Sequence, residues 1–257
     1  MNGRAQFIAF KAILLKEVLR FTRIWVQTIL PPMITTALYF VIFGRLIGSQ
    51  IGNIHGFQYM AYIVPGLILM AVITNSYANV VASFYSAKFQ RNIEEMLVAP
   101  VPNYLIMIGF IGGGVARGLA VGLAVTIVAL FFTSIPLHNL WVAVSVLLLT
   151  SVLFSLAGLI NAIYATSFDH ISIIPTFVLT PLTYLGGVFY SVSMLPPFWQ
   201  SVSLANPILY MVNAFRYGLL GVSDVRLLVA YLAIVSFIGG LFWFALNLLN
   251  RGYGIRS

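Results

Sequence analysis

Residues 140–166 read LWVAVSVLLLTSVLFSLAGLINAIYAT, and this stretch decides the fold class. It carries no charged side chain, and a helix needs only about 20 mostly apolar residues to cross the hydrocarbon layer of a bilayer. Working outward in both directions, residues 24–43, 58–84, 105–132, 171–190 and 226–249 read the same way. Residues 191–217 are apolar too, but Pro196, Pro197 and Pro207 interrupt them. Such a segment cannot run as one straight span, so short helices re-entering the outer face of the membrane are expected.

Composition agrees. The chain is 61% hydrophobic and 7% charged, with a mean hydropathy of +1.03. Soluble domains are about 25% charged. Thirteen Lys/Arg and five Asp/Glu could not cover a water-soluble globule of 257 residues. The expectation is an all-α, polytopic membrane protein with six transmembrane helices. Neither an internal repeat nor a linker is visible, so residues 1–257 form a single transmembrane domain.

The basic residues sit at the ends of the apolar runs, where they read as orientation signals. Arg4, Lys11, Lys16, Arg20, Arg23, Lys88, Arg91, Arg251 and Arg256 fall on one side. Arg45, Arg216 and Arg226 fall on the other or at a span edge. The positive-inside rule therefore places both termini in the cytoplasm. A net charge of +8 would suggest nucleic acid in a soluble protein, but this distribution gives no reason to expect that partner. The absence of cysteine excludes disulfides, thiol catalysis and cysteine metal sites.

The N-terminal segment has no short apolar core followed by a small-residue cleavage site, so a retained segment is expected. Phe7, Phe10, Leu14, Val18 and Phe21 recur at helical spacing, with Lys11, Lys16 and Arg20 on the polar side. Residues 1–23 thus read as an amphipathic helix in the headgroup plane. Residues 88–97 form a second cytoplasmic helix. Phe89, Ile93, Met96 and Leu97 are expected on one face, with Lys88, Arg91, Glu94 and Glu95 largely off it, and Pro100 and Pro102 ending the helix. This is the most charged stretch of the chain. Two readings stand: a surface that a protein partner grips, or a turn with a solvated charged face.

These features together resemble the type 2 ABC exporter permease family, which includes drug, lipo-oligosaccharide and polysaccharide export permeases. The resemblance runs end to end. It is carried by the amphipathic helix, the six spans, the motif Glu94-Glu95-Met96-Leu97-Val98-Ala99-Pro100 and the broken segment before the last span. Its specific part is a spaced signature. Leu179, Leu182, Leu185, Gly186 and Val188 are followed by Leu195-Pro196, then by Pro207-Ile208-Leu209-Tyr210, and Arg216 closes it.

The resemblance implies a half-transporter of the bacterial inner membrane. Two copies would pair, as a homodimer or with a second permease, and each would dock on a cytoplasmic ABC ATPase subunit. The helix around Arg91 to Leu97 then resembles a coupling helix. ATP and Mg belong to the partner, and this chain is expected to bind no cofactor or metal and not to be an enzyme. The residues agree on one point: no Gly-Lys pair occurs, so a phosphate-binding P-loop is absent.

Arg117 is the only charge deep in a predicted span, just after Gly112-Gly113-Gly114. Such a residue pairs within the bundle, snorkels, or faces a wet cavity. Thr74, Asn75, Ser76 and Asn79 either line a path or hydrogen-bond between helices. Gly186-Gly187 and Pro196-Pro197, with Phe189, Tyr190, Phe198 and Trp199, resemble the family's outer re-entrant cap or form an interfacial aromatic belt. His55, His138 and His170 fall in loops without metal-ligand spacing.

Three rival functions are less well supported. An ion-coupled carrier generally needs intramembrane carboxylates, yet all five acidic residues fall outside the predicted spans. An intramembrane protease needs a buried Ser–His pair or a His-Glu-x-x-His helix, and neither is found. A non-transporting membrane scaffold remains open. The cargo is unspecified beyond being amphiphilic or hydrophobic: a lipid, glycolipid, glycan or drug.

Overall fold

Hydrocarbon offers no partner for a peptide N–H or C=O, so a chain within it closes its hydrogen bonds inside each helix. The computed structural model describes residues 2–98 and 100–254. Ala99 of the predicted motif and Arg256 of the charge count lie outside the described residues, as do the side chains of Arg45 and Leu97.

Helix α1 (Gly3–Arg23) leads into α2 (Trp25–Tyr39), which continues through a π-helical stretch, Phe40–Ile47, to α3 (Gly48–Ile51). A two-residue hairpin, β1 (Asn53–Ile54) and β2 (Phe57–Gln58), turns the chain into α4 (Tyr59–Phe89). Then come α5 (Asn92–Val98), α6 (Asn103–Leu130) and α7 (Leu140–Tyr164). Next, α8 (His170–Ile174), a π-helical stretch (Pro175–Leu179) and α9 (Thr180–Tyr184) run on without a break. A short 3-10 turn precedes α10 (Pro197–Leu204), α11 (Pro207–Leu220) and α12 (Leu227–Arg251).

The chain is an all-α, polytopic membrane protein. Among the described residues, five segments are long and apolar enough to cross a bilayer: Trp25–Gly44, Tyr59–Phe89, Asn103–Leu130, Leu140–Tyr164 and Leu227–Arg251. The predicted span at 171–190 takes a different form. Its helical part is three consecutive five-residue segments ending at Tyr184. That is about 22 Å, short of the roughly 30 Å hydrocarbon layer. Pro175 and Pro181 contribute no N–H to the ladder, and Gly187 takes a left-handed φ of +73° that ends it.

Helix α4 is the axis of the bundle. With 31 residues it is about 46 Å long, so its ends pass beyond the hydrocarbon. Tyr62, Ile63, Leu69, Ile73, Val80 and Phe84 are fully buried along it, against α6, α7 and α11. By contrast, α2 and α12 turn Trp25, Ile34, Leu38, Leu228, Leu232 and Trp243 outward, as a lipid-facing surface requires.

Without a hydrophobic force between helices in lipid, association depends on close packing, and small residues permit it. At Gly158 of α7, a Cβ would stand 2.6 Å from the Tyr77 carbonyl oxygen of α4. Only glycine allows that approach. Gly240 of α12 has nothing within 4 Å of the same position. Gly158→Ala should therefore cost about 1–3 kcal/mol through overpacking, read as a lower melting temperature in detergent, while Gly240→Ala leaves it unchanged. Equal effects of the two would mean that α4 and α7 do not meet this closely.

Candidate functional site

Three polar constellations interrupt the apolar bundle. The first lies on the face that carries both termini, where α4 ends. Lys88 Nζ donates to the carbonyls of Ile163 (2.8 Å) and Ala165 (2.7 Å), satisfying the open C-terminal turn of α7. Arg91 then adopts φ +60°, a left-handed turn that separates α4 from α5. The predicted helix at 88–97 is thus two pieces: Phe89 closes α4, and α5 proper begins at Asn92.

This break changes which side chains share a face. Ile93 is fully buried and anchors α5 to the core, with Met96 half-buried beside it. Phe89 is instead 65% exposed and packs edge-on against Phe168, 5.3 Å between centroids. Arg91, Glu95 and Val98 are exposed and Glu94 is half-buried. A groove of about 460 Å³ runs alongside, lined by Tyr85, Lys88, Phe89, Arg91, Glu94, Tyr164, Thr166 and Tyr253 among others.

The second constellation joins α1 to the bundle. Phe10, Leu14, Glu17 and Phe21 share one face, and Ile13, Leu14 and Glu17 lie over Gly109, Gly112 and Gly113 of α6. Glu17 is fully buried. Its Oε1 accepts from Ser83 Oγ at 2.7 Å, and Oε2 lies 3.4 Å from Arg20 Nε. Arg20 also donates to the Asn79 carbonyl (3.0 Å) and Asn79 Oδ1 (2.8 Å). Arg117 donates to Asn75 Oδ1 at 3.1 Å. The helix expected to lie in the headgroup plane therefore turns part of its polar side into the bundle, and Glu17 is not a solvated charge.

The third lies on the opposite face. Asn206 caps α11 by accepting from Ile208 N and ties it to α9 through a 2.6 Å bond to the Leu182 carbonyl. Pro207 occupies the first turn of α11, where its missing N–H costs nothing. Tyr210 donates to the Leu204 carbonyl at 2.7 Å, closing α10 onto α11. Arg216, expected in a loop, is 1% exposed inside α11. Its guanidinium lies 4.1 Å above the Tyr62 ring and donates to the Gly187 carbonyl at 2.6 Å. Beside it, Asp224 accepts from Ser191 Oγ (2.7 Å) and Val192 N (3.1 Å), and lies 3.2 Å from His55 Nε2.

The matching family model, ABC-2 type transporter, covers residues 8–220, which includes Glu17, Lys88, Arg117, Asn206 and Arg216. The chain belongs to the ABC-2 type transporter family. It is 60% identical over 252 residues to inner membrane transport permease YadH of Escherichia coli strain K12, covering 98% of each chain. Nodulation protein J of Rhizobium leguminosarum bv. viciae is 25% identical over 195 residues, 76% of this chain and 75% of that one. Nodulation protein J of Rhizobium meliloti strain 1021 is 24% identical over 211 residues, 82% and 80% respectively.

Within this ABC-2 chain, residues of the spaced signature meet in space. Gly66 of α4 makes room for the turn after α9, since a Cβ there would stand 2.7 Å from the Val188 carbonyl oxygen. Gly186 packs on Ile208, Gly187 presents its carbonyl to Arg216, and Tyr210 locks α10 to α11. Pro196 sits in extended conformation directly before α10. Asn75, Asn79 and Arg117 are brought together; Phe89 is separated from Ile93 and Met96.

Sequence reasoning missed the roles of Glu17, Lys88, His55 and Asp224. Glu17 had a legible signal, because it falls on the helical face of Phe10, Leu14 and Phe21. The other three depend on contacts between distant segments. Among the described residues no group of three His, Asp or Glu is placed to hold a metal.

Arg216→Lys keeps the charge but loses the planar stack on Tyr62 and the directed bond to Gly187. It should lower stability by about 1–3 kcal/mol. Tyr62→Leu should act in the same direction, and the double variant should lose less than the sum of the two in thermal unfolding. Strict additivity would mean that the two side chains do not interact.

Proposed function

We propose that this chain is one of two permease halves of an ATP-driven exporter, each half gripping a cytoplasmic ABC ATPase through α5 and the groove beside it. On this reading the chain crosses the bacterial inner membrane six times as one domain, the α8–α9 helix and the turn that follows it to residue 190 together making the fifth crossing. Both termini lie in the cytoplasm. The second permease is a copy of the same chain. ATP and Mg are bound by the two ATPase subunits, and neither nucleic acid nor a resident cofactor is involved.

The observation that carries this reading is the placement of α5. A seven-residue helix is pinned by buried Ile93, leaves Glu95 and Val98 exposed beside the exposed Arg91 of the preceding turn, and flanks an open groove. A lever of this kind needs rigid attachment to the bundle and a polar surface for its partner. Lys88 supplies attachment as well, because it fastens the end of α4 to the end of α7. The chain has no P-loop of its own, so force must arrive from outside.

At the far face, the signature residues assemble α10 and α11 into a cap that dips into the membrane. The buried bond from Arg216 to the Gly187 carbonyl holds it, together with the bonds of Tyr210 and Asn206. Movement of α4 by the ATPase would reach this cap directly, because Tyr62 of α4 lies under Arg216. The cargo leaves on this side as an amphiphilic or hydrophobic molecule.

Charge reversal at both Glu94 and Glu95 should lower recovery of the ATPase in co-purification about tenfold or more, the scale of losing interfacial charge pairs, while membrane insertion stays normal. Unchanged co-purification together with unchanged coupled hydrolysis in the double variant would remove α5 from the interface.

A further inference from the structure

On the face opposite the termini, the hairpin that joins α3 to α4 turns on two residues, His55 and Gly56, with φ of +51° and +83°. A two-residue turn of this kind favours Asn, Asp or Gly, because a left-handed backbone strains most other side chains. An imidazole held at such a position points to a use for the side chain itself. Its Nε2 lies 3.2 Å from Asp224 Oδ1 and 3.3 Å from Ser191 Oγ. Among the described residues, this is the one hydrogen-bonding link from the side chains of residues 52–58 to another segment.

The carboxylate is where three segments meet. Asp224, in the loop between α11 and α12, accepts from Ser191 Oγ (2.7 Å) and Val192 N (3.1 Å) in the turn before α10. Its own N–H donates to Asn213 Oδ1 of α11 at 2.9 Å. The Asp224 side chain is 9% exposed and that of His55 is 43% exposed. One partner is therefore fixed and sheltered, and the other is open to the surrounding solution. The other titratable or charged groups on the elements packed here are Tyr59 and Tyr62 of α4, Tyr190 before the turn, Arg216 of α11 and Arg226 of the loop. Tyrosines ionise near pH 10 and arginines keep their charge. Arg216 is engaged by Tyr62 and the Gly187 carbonyl, and Arg226 is exposed. Only an imidazole ordinarily changes charge between about pH 5 and pH 8. Protonated, His55 meets the carboxylate in a charge-assisted pair; neutral, it offers a weaker bond.

We propose that His55 and Asp224 form a proton-operated latch. Protonated His55 holds the hairpin down on the turn at Ser191 and on the α11–α12 loop, and loss of the proton lets the hairpin lift. The latch is fully engaged in acid and is lost as pH rises through the imidazole range. The orientation with both termini in the cytoplasm, on which this part rests, makes the pH it senses that of the outside. An acid exterior then holds the outer face shut, and a neutral one frees it.

The test has a stability arm and a labelling arm. Purified full-length chain is melted in neutral detergent at about pH 5.5 and about pH 8, either side of the imidazole range. His55→Asn keeps a residue that the turn favours but is too short to reach Asp224. It should lower the melting temperature by about 2 °C more at the acid pH than at the alkaline one, the scale of a partly exposed ion pair. In an Asp224→Asn background the same change should cost equally at both. For labelling, Ile54 is buried beside His55, and Asn53 is exposed. The maleimide rate of Ile54→Cys, divided by that of Asn53→Cys, reports how often the hairpin lifts. This ratio should rise about threefold from acid to alkaline pH, and stay flat with His55→Asn.

An equal cost of His55→Asn at both pH values, or a labelling ratio indifferent to pH, overturns the latch. If Asp224→Asn does not fold, His55→Asn decides alone; if Ile54→Cys does not fold, the melting temperatures decide. In intact spheroplasts, Asn53→Cys should react with a membrane-impermeant maleimide. Reaction in inverted vesicles alone would overturn the sensing of outside pH together with the orientation, while the measurements in detergent still decide the latch itself. Failure of the exporter reading would look different again: no ATPase would associate at any pH.

Discussion

Hydrocarbon cannot hydrogen-bond, and this constraint shapes every part of the molecule. It makes the chain helical, and it also dictates where polar groups are tolerated. The polar side chains of the three constellations hydrogen-bond largely to the open carbonyls of neighbouring segments. Lys88 fastens the C-terminal turn of α7. Asn206 and Tyr210 tie α10 and α11 to their neighbours, and Arg216 fastens the turn at Gly187. Polar residues in this protein therefore act first as joints. Lys88, Asn206 and Tyr210 do so where a segment changes direction, and Arg20, Asn79 and Arg117 do so between the middles of helices.

The joints are distributed along one helix. Tyr62 near the start of α4 lies under Arg216, Asn75 and Asn79 in its middle meet Arg117 and Arg20, and Lys88 at its end grips α7. A helix buried over most of its length, with rigid attachments at both ends and the centre, transmits displacement rather than absorbing it. This is the physical basis for treating the permease as a lever. On the proposed reading, force applied at α5 would enter α4 through the short turn at Arg91, and α10 and α11 would receive it at the other end.

Much of this was legible in the chain before folding was considered. Length and apolarity sufficed for the long crossings, because a membrane helix of about 20 residues is a local property. The signature from Leu179 to Arg216 identified the family for the same reason. What was illegible depended on which distant segments meet. Arg216 counted as a charge on the outer side, within a segment expected to form short helices, and nothing local showed that α11 would bury it against Tyr62. Glu17 read only as an acidic residue outside the spans, and its burial depends on the glycines of α6 that receive α1. The helix at 88–97 read as continuous, because nothing in Lys88-Phe89-Gln90-Arg91 announces a left-handed turn at a non-glycine residue. The segment at 171–190 is apolar throughout, yet its prolines and Gly187 cut the helix short.

The chain contains no cysteine, so a single introduced thiol reports without ambiguity. Val98, at the end of α5, is 87% exposed and suits the purpose. The account predicts that Val98→Cys reacts with a membrane-impermeant maleimide in inverted vesicles but not in intact spheroplasts, and that the reaction slows when the ABC ATPase is co-expressed. Labelling from the outside of spheroplasts, or a rate indifferent to the ATPase, would contradict it.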